Sequence, residues 1–155
     1  MPKKKLLTVV ECTTDFPDDY VEDEAGMEIV RVGGVGIATA LVALLEARGM
    51  KVTQPSVDDE HGWCFDVSWK DRGFWVLVAD AGPECIISTE ETSKPIIAWL
   101  LGRRQEYREF LEILHDVLST DVRFHDLKWY PRLGPYNEEN VGATPTSWLR
   151  GDAAG

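Results

Sequence analysis

No run of apolar residues in this 155-residue chain approaches the roughly 20 that cross a bilayer, so a helical membrane span is not an organising element. Cysteine is scarce: Cys12, Cys64 and Cys85 are an odd set without framework spacing, which predicts reduced thiols and a cytoplasmic location rather than a disulfide scaffold. Basic residues are scarce as well. The formal charge is −11, and residues 6 to 30 hold eight acids with no lysine or arginine. Such a balance repels a phosphate backbone, so nucleic acid is not an expected partner. Lys3-Lys4-Lys5 precede an apolar stretch that Thr8 interrupts and Glu11 ends without a small-residue cleavage site, so no signal peptide is expected. Internal repeats, low-complexity blocks and CxxC or HxxxH pairs of metal-ligating spacing are also missing from the sequence.

What is present is apolar material enough for one core, 44% of the chain. The expected organisation is a single α+β domain over 1–130 and an extended or partly disordered tail over 131–155, in which Tyr136 or Trp148 would have to dock to impose order. The densest signal runs from Gly62 to Ala81. Trp63, Phe65, Val67 and Trp69 alternate with Cys64, Asp66, Ser68 and Lys70, the period of a strand with one buried face. Asp71-Arg72-Gly73 reads as a three-residue turn closed by glycine, which places Trp69 opposite Trp75, Val67 opposite Leu77 and Phe65 opposite Ala79. In that register Trp63, Trp69 and Trp75 share one face, as core beneath a helix or, if uncovered, as a protein-binding hot spot ringed by Asp66, Asp71 and Glu84. Gly82-Pro83 then turns the chain into a third strand, Glu84 to Ser88, completing a meander.

Around this meander, Leu6 to Thr13 and Met27 to Val32 read as strands separated by an acidic surface loop, Asp15 to Gly26. Ile37, Leu41, Leu44 and Leu45 recur at helical spacing, predicting a helix from Ile37 to Arg48 that Gly49 ends. Lys51 to Gln54 resumes an extended course, and Pro55 to Gly62 reads as a polar connection. A helix or helix pair is expected over Lys94 to Thr120, with Pro95 in its first turn and a break at Gly102. Asp121 to Tyr130 completes the set; its apolar residues fall on both parities, the mark of a bulge or a strand end. The fold class is therefore α+β, a mainly antiparallel sheet of about four to six strands with two or three helices packed on it.

Several groups carry candidate chemistry. Ile29 to Thr39 has the strand, glycine turn and helix order of a dinucleotide-binding unit, which makes Gly34 and Gly36 weak cofactor-binding candidates. Thr39 stands where close helix packing wants glycine or alanine, and a meander rather than a second βαβ unit follows, so a plain turn before a core helix is the preferred reading and no cofactor is expected. Asp58, Asp59, Glu60, His61 and Cys64 are too nearly consecutive to converge on one metal ion. His115 and His125 have no nucleophile at a recognisable spacing, and Arg103, Arg104 and Arg108 have acidic neighbours to pair with. No catalytic residues are assigned.

The acids Asp18, Asp19, Glu22, Asp23 and Glu24 fall within one short stretch and are the candidate partner-binding residues, against the plainer reading of a solvated loop. The expected function is a small, non-catalytic acidic binding module, such as an inhibitor or immunity-type protein facing a basic partner protein. A chaperone-like carrier of an extended segment, or a small enzyme or nucleotide-binding regulator using the Gly33-Gly36 turn, are the other readings. A homo-oligomer is compatible with either binding role.

Overall fold

The computed structural model describes residues 6–59, 61–93, 105–131 and 141–148. In chain order the elements are β1 (Val9–Thr14), β2 (Val21–Glu22), β3 (Ile29–Arg31), α1 (Val35–Ala47), β4 (Lys51–Val52), β5 (Ser56–Asp58), β6 (Gly62–Trp69), β7 (Arg72–Ala81), β8 (Glu84–Glu91), α2 (Gln105–Thr120), β9 (Phe124–Tyr130), β10 (Gly142–Thr144) and β11 (Ser147–Trp148). Nine strands form one sheet in the order β11-β10-β9-β1-β8-β7-β6-β4, with β5 also on β6, and β2 and β3 make a separate two-stranded ribbon. Every ladder among the described residues is antiparallel. The predicted α+β class holds. The sheet is wider than the four to six strands expected, because β4, β5, β10 and β11 are two or three residues long and too short to carry a period. Of the expected tail, residues 141–148 are described, and they add the β10–β11 hairpin beside β9. The first part of the expected 94–120 helix, including its break at Gly102, lies outside the described residues.

The β6–β7 hairpin forms as a meander, but its register corrects the sequence reading. Trp69 lies opposite Arg72, Val67 opposite Phe74 and Phe65 opposite Val76, and the turn is the pair Lys70-Asp71, both at positive φ (51° and 59°). Two consecutive left-handed residues match the strand twist in a two-residue turn. Gly73 is spent elsewhere: a Cβ there would stand 2.8 Å from Thr92 Oγ1, where the end of β8 crowds it. The offset between the two registers is an odd number of residues, so it reverses one face. Trp75 therefore leaves Trp63 and Trp69 and lies between Asp66 and Glu90 on the opposite side of the sheet.

The face bearing Phe65, Val67, Phe74, Val76 and Val78 is covered by both described helices. From α1 come Ile37, Ala38, Leu41, Val42 and Leu45, and from α2 come Tyr107, Phe110, Leu111, Leu114, Val117 and Leu118, each set at three and four spacing. Phe110 stacks on Phe74 with ring centroids 4.4 Å apart, and Tyr107 meets the same ring edge-on at 5.4 Å. Trp63 and Trp69 are half-buried at the margin of this core, and among the described side chains Trp129 is the fully buried tryptophan. The bulge expected in the last strand is present: Glu11 faces Lys128 but Thr13 faces His125, and Asp126 absorbs the extra residue at φ 55°. On the other side of the sheet a smaller cluster, Val9, Tyr130 and Val141 with Ile86, shares the surface with exposed Asp66, Glu90 and Lys128.

Gly62 opens β6 at φ 146°, and a Cβ on it would lie 2.1 Å from the backbone oxygen of Val78. Neither atom belongs to a flexible side-chain end, so the two strands would have to part. Gly62→Ala should cost at least about 2 kcal/mol in a urea titration. A loss below half of that would show that the β6–β7 pairing is looser at this point than described.

Candidate protein-binding surface

The acidic stretch does not remain a free loop. Asp19 turns inward and its carboxylate accepts two hydrogen bonds from the start of α1, from Gly34 N at 2.6 Å to Oδ1 and from Gly36 N at 2.8 Å to Oδ2. A helix N-terminus presents unpaired amides and a partial positive charge, and a carboxylate satisfies both. The amides that a dinucleotide pyrophosphate would use at Gly34 and Gly36 are therefore engaged by the chain's own anion. Arg31 Nε donates to the backbone oxygen of Asp19 at 2.8 Å, which fastens the same residue to β3. Asp80 approaches from β7 behind Gly33 and Gly34. Burial, then the neighbouring charges of Asp18 and Asp19, hold the Asp80 carboxyl above its ordinary pKa.

The other four sequence candidates divide by role. Asp18 Oδ1 accepts from Tyr20 N at 3.0 Å, a local turn bond. Asp23 shapes the β2–β3 turn, with Oδ1 accepting from Met27 N at 2.8 Å and its backbone oxygen from Gly26 N at 3.0 Å. Glu22 accepts from the Tyr20 hydroxyl at 2.9 Å but stays exposed, and Glu24 is exposed on the turn. The free charge of the ribbon is thus carried by Glu22, Glu24 and Glu28, with Asp18 and Asp23 partly committed to backbone.

What the sequence did not single out is the apolar surface between these acids. Met27 is 84% exposed, Val30 66% and Val57 52%, with Ile29, Tyr20 and Val21 also exposed. An open groove of about 620 Å³ runs between β3 and β5, lined by the apolar Ile29, Val30, Val57 and Trp63 and the charged Glu28, Arg31 and Asp59. Trp63 Nε1 donates to Val32 O at 2.8 Å, so the indole ties the outgoing end of β3 to the strand on which β5 pairs. Met27 to Val32 reads as one more sheet strand because its β-branched residues say nothing about which partner they find. Only the pairing of β3 with β2 alone leaves them outside the core.

The remaining candidates resolve into structural contacts. His115 Nδ1 accepts from the indole of buried Trp129 at 3.0 Å, and burial lowers its pKa, the direction that favours the neutral ring this bond requires. His125 pairs with Asp15 at 2.7 Å on the exposed side of β9. Cys12 and Cys85 face each other across β1 and β8 in the core, and the Cys85 thiol is pushed well up, first by its hydrogen bond to Cys12 and then by burial. Cys64 lies near Ser56 Oγ, 3.7 Å away. Arg103, Arg104 and Glu60 lie outside the described residues. Among the described residues no set of three His, Cys, Asp or Glu is placed to hold a metal ion, and no helix is long and apolar enough to cross a membrane. No protein-family model, no curated protein and no solved structure matches the chain.

Two outcomes follow from this electrostatic arrangement. Asp19→Ala leaves two helix-start amides without their anion and should cost about 1–2 kcal/mol in chemical denaturation. A loss below about 0.3 kcal/mol would mean water replaces the carboxylate without penalty. Asp80 behaves in the opposite sense. Its folded pKa is raised, so its favourable contribution is complete below the unfolded value and is lost as pH rises through the folded one. Asp80→Asn should therefore raise the melting temperature at pH 7, with the advantage shrinking as pH falls toward 4; a pH-independent difference would rule out the titration of Asp80 as its cause.

Proposed function

We propose that the protein is a non-catalytic binding module whose contact surface is the acid-rimmed apolar ribbon formed by β2, β3 and the adjoining β5, and whose partner is a protein with a basic surface. The observation that carries this reading is the exposure of Met27 and Val30 on the β2–β3 ribbon and of Val57 on the neighbouring β5, which together line one groove. Exposed large apolar residues gathered in one place favour a partner that removes them from water, and desolvated apolar anchors inside a polar rim are the usual anatomy of an interface. The rim is acidic: between residues 6 and 47 the only lysine or arginine is Arg31. Negative charge around an apolar centre accelerates encounter with a positive surface and disfavours neutral or acidic competitors. An inhibitor or immunity-type role against an enzyme that handles phosphate chains suits this pattern, since such enzymes present positive charge. The same reading places no chemistry on His115, His125, Cys12 or Cys85, whose bonds are internal.

Glu22→Gln, Glu24→Gln and Glu28→Gln together leave the backbone bonds of Asp19 and Asp23 intact and remove the free charge of the ribbon. With a basic partner captured from the native host, the triple variant should associate about tenfold more slowly at low salt and lose most of its salt dependence. Association rates and salt slopes equal to the unmodified protein's would remove the ribbon from the interface. Capture of no basic protein at low ionic strength would overturn the reading altogether.

A further inference from the structure

Both walls of the groove are strand edges without a strand partner among the described residues. β3 pairs with β2 alone, and β5 pairs with β6 alone, and residues of both strands line the space between them. A strand edge is a row of amide donors and carbonyl acceptors, and natural proteins blunt it with lysine, inward charge, a bulge or a cover. Here β5 reads Ser56-Val57-Asp58 and β3 reads Ile29-Val30-Arg31, with Val57 and Val30 among the most exposed apolar residues described. One side chain bridges the two walls directly. Trp63 lies opposite Val57 in the β5–β6 ladder and binds Val32 O through its indole, so the groove is spanned by a bonded residue at its base.

The charge around the groove selects what enters. Glu28, Asp59 and Arg31 line it, Glu22 stands across the ribbon from Ile29, and Arg31 is already engaged, its Nε donating to the backbone oxygen of Asp19. An incoming strand meets valine and tryptophan together with two carboxylates and one guanidinium that is bonded to Asp19. We infer that an extended segment of a partner protein, with apolar residues alternating with lysine or arginine, adds as a strand in the groove between β3 and β5. Main-chain bonds would supply affinity and the alternate side chains selectivity, apolar ones against Val30, Val57 and Trp63 and basic ones against Glu28 and Asp59. This rests on the reading of the ribbon as a contact surface and names the form in which the partner is recognised.

The probe is a short fluorescent peptide of alternating valine and lysine, titrated by anisotropy against the full chain. Two further peptides carry the same sequence with N-methyl groups on alternate residues, one for each parity, and a fourth has its valines and lysines in separate blocks. The alternating peptide should bind, at least one N-methylated peptide should lose about tenfold or more, and the block peptide should bind more weakly. Val30→Ser with Val57→Ser, both exposed and therefore tolerated by the fold, should weaken the alternating peptide by about tenfold with the melting temperature unchanged. Equal binding of all four peptides would reduce the effect to charge and overturn strand addition. So would a chain that dimerises by sedimentation and becomes monomeric on the double serine substitution, since a second copy then fills the groove. If every peptide fails while a folded basic partner still responds to the Glu22, Glu24 and Glu28 variant, strand addition falls and the binding role stands; if that partner is indifferent to the variant, both fall.

Discussion

The carboxylate of Asp19, bridging the amides of Gly34 and Gly36, is the contact on which the placement of the candidate surface depends. Phe16, packed on Phe124 with ring centroids 5.5 Å apart, holds the chain just after β1, and the carboxylate fixes the acidic stretch that follows. With it, residues near 19 are fixed to the start of a buried helix, and the ribbon that follows is brought back toward β6. Arg31 and Trp63 complete the attachment, one on the backbone of Asp19 and the other on Val32. The interaction is favourable for a plain reason. A helix start needs an anion or a hydroxyl, α1 has neither in its own first turn, and a nearby acid supplies it at the cost of ordering one loop.

That single contact also divides the charge. A cluster of acids looks uniform in a sequence, but a folded chain can only leave charge free where backbone does not claim it. Asp19 and Asp23 are claimed by amides, Asp18 by a turn, and the Asp80 carboxyl is held above its ordinary pKa by burial and then by the charges of Asp18 and Asp19. Glu22, Glu24 and Glu28, on longer side chains, remain with water. Aspartate is the shorter and more locally bonding residue of the two acids, which is why it falls into the structural positions and glutamate into the surface ones.

Periodic segments were legible in the sequence, and segments defined by their partners were not. The Ile37 to Arg48 helix, the meander and the bulge in the last strand each leave a pattern in single residues, and each is present with small shifts at the ends. The hairpin register is not legible in the sequence because two turn chemistries compete for one stretch. Gly73 suggests a three-residue turn, yet the glycine is needed for contact with Thr92, and Lys70-Asp71 accept the left-handed region instead. That one choice moved Trp75 to the far face and dissolved the expected three-tryptophan surface. β5, β10 and β11 exist only because a longer neighbour offers them an edge, which no local pattern announces. The apolar ribbon failed to stand out for the same cause: an isoleucine and a valine look alike whether they meet a sheet or open water.

Trp63 shows how a core residue and a surface feature become one object. Its alternation with Phe65 and Val67 marks it as sheet interior, and part of its ring does pack against that interior. Its indole N–H, however, needs an acceptor when buried, and the one it finds is a carbonyl at the end of β3 rather than any atom of the sheet. Satisfying that donor draws the ribbon to the side of β5 and leaves a strand-lined groove between them. A phenylalanine in the same place would fill the core equally well and hold nothing. The choice of tryptophan at this position is therefore better explained by the groove than by the core, and it links the stability of the sheet to the geometry of the surface that the acids surround.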